Sequence, residues 1–121
     1  LGKFDNNGYL EIVGRLKDLI ISGGFNVYPK EIEDVINSIE GIQENAVIGV
    51  PHKDLGESIL SIIIKEESFQ IDSKKISEIL TKKLAKYKCP KGYIFVNSFP
   101  RNSLGKILKN KLREEYKNYF K

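Results

Sequence analysis

The stretch AVIGVPHKDLGESILSIII, residues 46–64, decides the fold. Ala46 to Val50 and Ile59 to Ile64 are short, nearly continuous apolar runs rich in β-branched residues, the pattern of strands buried on both faces. Pro51 to Gly56 between them is polar and carries both Pro and Gly, so it reads as the loop joining two core strands.

Upstream of this pair, Ile32, Val35, Ile36 and Ile39 recur at helical spacing and place one apolar face on a helix that begins near Pro29. Proline suits the first helical turn, Glu31 and Glu33 suit its positive end, and Gly41 supplies a stop. Ser22-Gly23-Gly24 breaks the preceding pattern, and before it Leu16 to Ile21 and Tyr9 to Val13 read as short strands with Gly14-Arg15 at a bend. Asp5-Asn6-Asn7-Gly8 is a turn signal.

Downstream, Asp72 or Ser73 can cap a second helix whose apolar side is Ile76, Ile79, Leu80 and Leu84, with Pro90 ending it. Tyr93 to Val96 reads as a third core strand and Pro100 to Gly105 as a loop. Leu108, Leu112, Tyr116 and Phe120 at four-residue spacing predict a final helix. The expected fold is therefore α+β: a small three-stranded sheet covered by helices, with an N-terminal β hairpin.

The 121 residues suffice for one domain with a real core. At 40% hydrophobic and 30% charged, the composition is that of a globular chain rather than a disordered one. The longest strong apolar run, Ile59 to Ile64, falls far short of the roughly 20 residues a membrane span needs. No signal peptide is expected before the opening turn. A single cysteine, Cys89, and the lack of an Asn-x-Ser/Thr sequon fit a reducing, cytoplasmic setting. The sequence contains no Met, which reads as a fragment or a processed product.

The formal net charge is +4, and its excess is local. Lys82, Lys83, Lys86, Lys88 and Lys91 crowd one segment, and Lys106, Lys109, Lys111 and Arg113 follow it. Such runs suit an anionic partner, whether nucleotide, nucleic acid or membrane surface, although on charge alone a solvated lysine-rich face is the commoner reading.

Two constellations can carry chemistry. In Pro100-Arg-Asn-Ser-Leu-Gly-Lys106 a lysine directly follows a glycine on a loop before a helix. Its ammonium is a compact charge with three donors, suited to phosphate and carboxylate oxygens. An ordinary surface lysine is the alternative, although a helix start gains nothing from a cation. In Gly14-Arg-Leu-Lys-Asp18 followed by Ser22-Gly-Gly-Phe-Asn26, Arg15 can meet a phosphate or a ribose, and the glycine pair serves either a ligand's close approach or a tight turn. His52 stands without a metal-binding partner and reads as a loop hydrogen-bonder, with Asp54 and Glu57 stabilising the same turn. The lysines around Cys89 would lower its pKa, but no histidine completes a nucleophile. No metal ligand set, Walker-type phosphate loop or Rossmann fingerprint is present.

Asp-x-x-Gly-Tyr, GRLKDLIISGGFNVYPKEIE, VIGVPHKDLGE, LAKYKCPK and FPRNSLGK, in this order, resemble the C-terminal domain of the adenylate-forming superfamily of acyl-CoA synthetases, luciferases and peptide-synthetase adenylation domains. The resemblance covers essentially the whole chain, and GGFNVYPKEIE, IGVPHKDLGE and PRNSLGKILKNKLRE look most like malonyl-CoA synthetases. It implies a two-step reaction. A carboxylate attacks the α-phosphate of ATP, with Mg2+, to give an acyl-adenylate and pyrophosphate; after the small domain rotates, the CoA thiol attacks the acyl carbon. By the same resemblance Lys106 is the adenylation lysine and touches the nucleotide. Arg15 contacts the ribose, Lys17 is the hinge, and Gly23, Gly24 and Phe25 line the path of CoA. Residues 1–17 would then be the end of a linker and hinge, and residues 18–121 the C-terminal domain of an ATP-dependent acid–CoA ligase. Its large N-terminal domain, with ATP, CoA and a carboxylic acid, would be its partners. None of these ligands is expected to bind this domain tightly, and no nucleic acid is expected. Malonate or methylmalonate is the first substrate expected, a fatty or aryl acid the second. A basic nucleic-acid-binding or non-catalytic module is the reading from another class.

Overall fold

The structure, a computed structural model, describes residues 19–120. The order of elements is β1 (Ile20–Ser22), β2 (Phe25–Val27), α1 (Pro29–Asn37), β3 (Ile42–His52), β4 (Gly56–Lys65), α2 (Ser73–Lys83), a 3-10 turn (Lys86–Lys88), β5 (Gly92–Phe95) and α3 (Lys109–Glu115).

The long antiparallel pair of β3 and β4 is the backbone of the sheet, in register from Glu44↔Ile64 to His52↔Gly56. On the other edge of β4, β5 runs parallel beside Leu60 to Ile63. The β1–β2 hairpin joins the same edge at Ser22↔Gly56. The sheet thus has five strands: the three expected core strands and a hairpin that turns at Gly23-Gly24, further along the chain than the Gly14-Arg15 bend the sequence suggested. The expected strand Tyr9 to Val13 and the Gly14-Arg15 bend lie outside the described residues.

Side-chain alternation divides the core into two layers. Val47, Ile59 and Ile63 face Ile32 and Ile36 of α1 and Ile76 and Leu80 of α2. Ala46, Ile48, Val50, Leu60, Ile62 and Ile64 face the opposite way, against Phe99 and Leu112. Both faces are covered, which is why these two strands read as unbroken apolar runs. Ile42 joins the layer of Val47 although its number has the other parity; a register shift between Ile42 and Glu44 turns the strand over at that point.

Local chemistry sets the element ends. Pro29 occupies the first turn of α1, and the helix gives way after Asn37, before Gly41 (φ +97°) turns the chain into β3. Asp72 caps α2, its carboxylate accepting from the Lys75 amide at 3.0 Å. The strands run longer than their apolar runs, leaving a turn of residues 53–55. The final helix stops at Glu115, not at Phe120; Tyr116 and Phe120 still pack on the core, but from non-helical turns.

Candidate functional site

Lys106 sits on a closed turn rather than a slack loop. A bridge between Arg101 and Ile107 brings the two arms together. Within it the Asn102 amide donates to the Lys106 carbonyl at 3.0 Å, and the Gly105 amide donates to the Asn102 carbonyl at 2.9 Å. The Asn102 side-chain oxygen accepts from the amides of Leu104 and Lys106 at 2.9 and 3.0 Å. Gly105 has φ +85°, which closes the turn at a conformation that a Cβ would strain. At the tip Leu104 is 89% exposed, and the ammonium of Lys106 has no ion-pair partner among the described residues.

Two ion pairs fasten this turn to the body. Before it, the Arg101 guanidinium pairs with Glu44 on β3 and donates to the Gly105 carbonyl at 3.0 Å. After it, Lys109 pairs with Glu33 of α1 at 2.7 Å, a contact in which the side chains are only 14% and 18% exposed. The same Glu33 carboxylate accepts from the Val47 amide at 2.9 Å, so it ties α1, β3 and α3 together.

The glycine pair lies at the other end of β3. Gly23 (φ +59°) and Gly24 (φ +86°) form the β1–β2 turn. The Gly23 amide donates to the Leu55 carbonyl at 3.0 Å, and the Ile21 amide donates to the Glu57 carboxylate at 3.0 Å. His52 orders the turn beneath, Nδ1 accepting from the Asp54 and Leu55 amides at 3.1 and 3.2 Å, which is the hydrogen-bonding role expected of it. Glu57 serves the hairpin rather than its own turn. A Cβ on Gly24 would meet nothing within 4 Å, so the turn presents bare backbone to solvent.

Phe25, half-exposed, stacks on Tyr87 with ring centroids 4.5 Å apart. This contact brings the lysine-rich 3-10 turn against the hairpin. Lys88 lies 5.7 Å from the Tyr87 ring centroid and 2.9 Å from the Glu31 carboxylate. That hydrogen bond, against some desolvation, holds the Lys88 ammonium above its ordinary range. The lysines around Cys89 do not lower its pKa: burial outweighs the Coulombic effect of Lys91 and pushes the thiol up.

Arg15 and Lys17 lie outside the described residues, so the structure does not place them relative to Lys106. Lys106 and the Gly23–Phe25 hairpin are not brought together. Their anchors on β3, Glu44 and His52, are eight residues apart in one strand, about 26 Å at ~3.3 Å per residue. Among the described residues no group of three or more His, Cys, Asp or Glu could hold a metal ion. Sequence reading passed over Arg101, Asn102, Glu44 and Tyr87. Asn102 had a signal, an Asn three residues before a Gly, whereas the Arg101–Glu44 pair spans 57 positions and left none.

Comparison with known proteins gives a consistent result. The family model described as AMP-binding enzyme C-terminal domain matches residues 31–106. A long-chain-fatty-acid–CoA ligase, FadD13, of Mycobacterium tuberculosis is 48% identical over 116 residues, covering 96% of this chain and 23% of the relative. A 2-succinylbenzoate–CoA ligase of Listeria monocytogenes is 43% identical over 96% of this chain and 24% of its own length. Among solved structures, ATP-bound MatB from Rhodopseudomonas palustris superposes with a TM-score of 0.85 at 50% identity, over 87% of this chain and 21% of that one. The chain thus spans less than a quarter of the length of these relatives.

Proposed function

The chain belongs to the family of AMP-binding enzyme C-terminal domains, and from that premise we propose that it is the mobile domain of a longer ATP-dependent acid–CoA ligase. The observation that supports this reading is the placement of two different exposed features at opposite ends of one strand: a lysine with no ion pair among the described residues, on a hydrogen-bonded turn, and a bare glycine hairpin beside Phe25, Tyr87 and Lys88. A rigid body with this layout can offer only one of them at a time to a single reaction centre, so each serves a separate step.

In the first step a carboxylate oxygen attacks the α-phosphorus of ATP and the bond to pyrophosphate breaks. Two anions must meet, and Lys106 supplies positive charge where they do so. In the second step a thiolate attacks the acyl carbon and AMP leaves. Here the Gly23-Gly24 turn faces the thin pantetheine arm of CoA, which a side chain at either position would obstruct, and Phe25 lies beside it. Lys86, the chain neighbour of Tyr87, suits the CoA phosphates. Arg15 would hold the ribose and Lys17 the hinge, with residues 1–17 as the connecting segment and residues 18–121 as the rotating body. Mg2+ would enter with ATP.

Malonate or methylmalonate is the acid we put first, on the likeness of the GGFNVYPKEIE and PRNSLGK segments to malonyl-CoA synthetases and the fit to MatB. The relatives also include ligases of fatty acids and of 2-succinylbenzoate. The test is pyrophosphate release by the full-length protein with MgATP and a panel of dicarboxylic, fatty and aryl acids. Release with one class, followed by its CoA thioester, is expected. A folded protein that binds ATP and releases pyrophosphate with none of these classes overturns the ligase reading.

A further inference from the structure

We propose that Asn102 is the positioning residue of the adenylation step, holding the Lys106 backbone so that its side chain leaves the turn in one direction; the proposal rests on the role given to Lys106 above. Lys106 follows a glycine, and a glycine neighbour left to itself samples both signs of φ. What fixes it is Asn102. The backbone amide of Asn102 holds the Lys106 carbonyl, and its side-chain oxygen holds the Lys106 amide, so the lysine is gripped on both sides of its Cα. The same oxygen takes the Leu104 amide, and the Asn102 carbonyl takes the Gly105 amide, which leaves the segment little slack.

Asn102 is itself exposed and belongs to neither core layer. Its side chain is used within the turn, so its loss should be felt there and not in the fold. Arg101 adds to the grip from outside by holding the Gly105 carbonyl while paired with Glu44. A lysine that must neutralise charge between two meeting anions gains from such pre-ordering, because a misplacement of about 1 Å costs on the order of a hundredfold in rate.

The experiment compares N102A, N102S and K106A in the full-length protein. Two half-reactions are read separately: pyrophosphate formation from ATP and acid, and thioester formation from preformed acyl-adenylate and CoA. N102A is expected to lower kcat of the first about tenfold to a hundredfold, leave the second within twofold, and keep the unfolding midpoint unchanged. Ser keeps a side-chain oxygen that can accept from the turn amides, more weakly and without adding charge, so N102S should recover part of the loss. Equal loss of both half-reactions in N102A, no loss in the first, or an N102S no better than N102A overturns the proposal. K106A keeps the two readings apart. If K106A abolishes adenylation and N102A does nothing, only the role of Asn102 falls; if K106A adenylates normally, the role of Lys106 falls.

Discussion

At Gly41 the backbone has φ +97°, and a Cβ there would stand 2.6 Å from Cδ2 of Phe69. Gly41→Ala therefore meets strain and overlap together, and is expected to destabilise the domain by about 2 kcal/mol in denaturant unfolding. A loss under about 0.5 kcal/mol would show that Phe69 and the turn relax freely. Gly105, also at positive φ but with nothing within 4 Å of its Cβ position, carries only the backbone part of that constraint. Tyr93 poses a different constraint. Its hydroxyl is buried without a hydrogen bond of ordinary geometry, and burial, only partly offset by the Ser77 hydroxyl beside it, pushes the phenol up to about 12. The folded state thus holds this proton more tightly than the unfolded state, where the phenol has its ordinary value of 10.0. The resulting stability is present below pH 10 and is lost as the pH rises toward 12. Tyr116, also raised by burial, contributes to the same window. Unfolding midpoints of Tyr93→Phe at neutral and alkaline pH should show little change at neutral pH and a shallower alkaline decline than the parent. An unchanged decline would contradict the assignment.

Among the elements, α1, β3 and α3 are joined through Glu33 by a largely buried ion pair and a hydrogen bond to the strand. Glu33→Ala strands the Val47 amide and leaves Lys109 beside an apolar surface, and should cost about 2 kcal/mol by chemical denaturation. Lys109→Ala should cost less, because Glu33 keeps the Val47 amide. The reverse ranking would mean that the ion pair, not the strand-edge hydrogen bond, is what matters. The same elements show what a sequence can and cannot reveal. The β3–β4 pair was legible because burial on both faces leaves an apolar run, and α2 was legible because Asp72 is a capping residue followed by helical periodicity. β2 was not: three residues, of which only Val27 is buried, carry no periodicity to read. The last helix was read too long because Tyr116 and Phe120 keep helical spacing while being held by tertiary contacts, Phe120 against the His52 ring at 5.4 Å and edge-on to Tyr119 at 4.9 Å. For the site, Lys106 and the glycine pair stood out as motifs, but the turn that holds Lys106 depends on Glu44, far along the chain, and only the folded register supplies it.

For the molecule as a whole, the two features lie at opposite ends of β3, and under the proposed function the domain would present them to one reaction centre in turn. Changes at one end should then leave the step served by the other end intact. The most direct measurement is a crossed pair of variants in the full-length protein, Lys106→Ala and Gly24→Leu, each assayed for pyrophosphate formation and for thioester formation from preformed acyl-adenylate. The side chain placed at Gly24 points into open space, so its effect reports on the ligand path and on modest backbone strain of about 1–2 kcal/mol rather than on the core. The account expects Lys106→Ala to lose adenylation and keep the thiol step, and Gly24→Leu to do the reverse. Variants that lose both steps together, or a Lys106→Ala protein that adenylates normally, would contradict it.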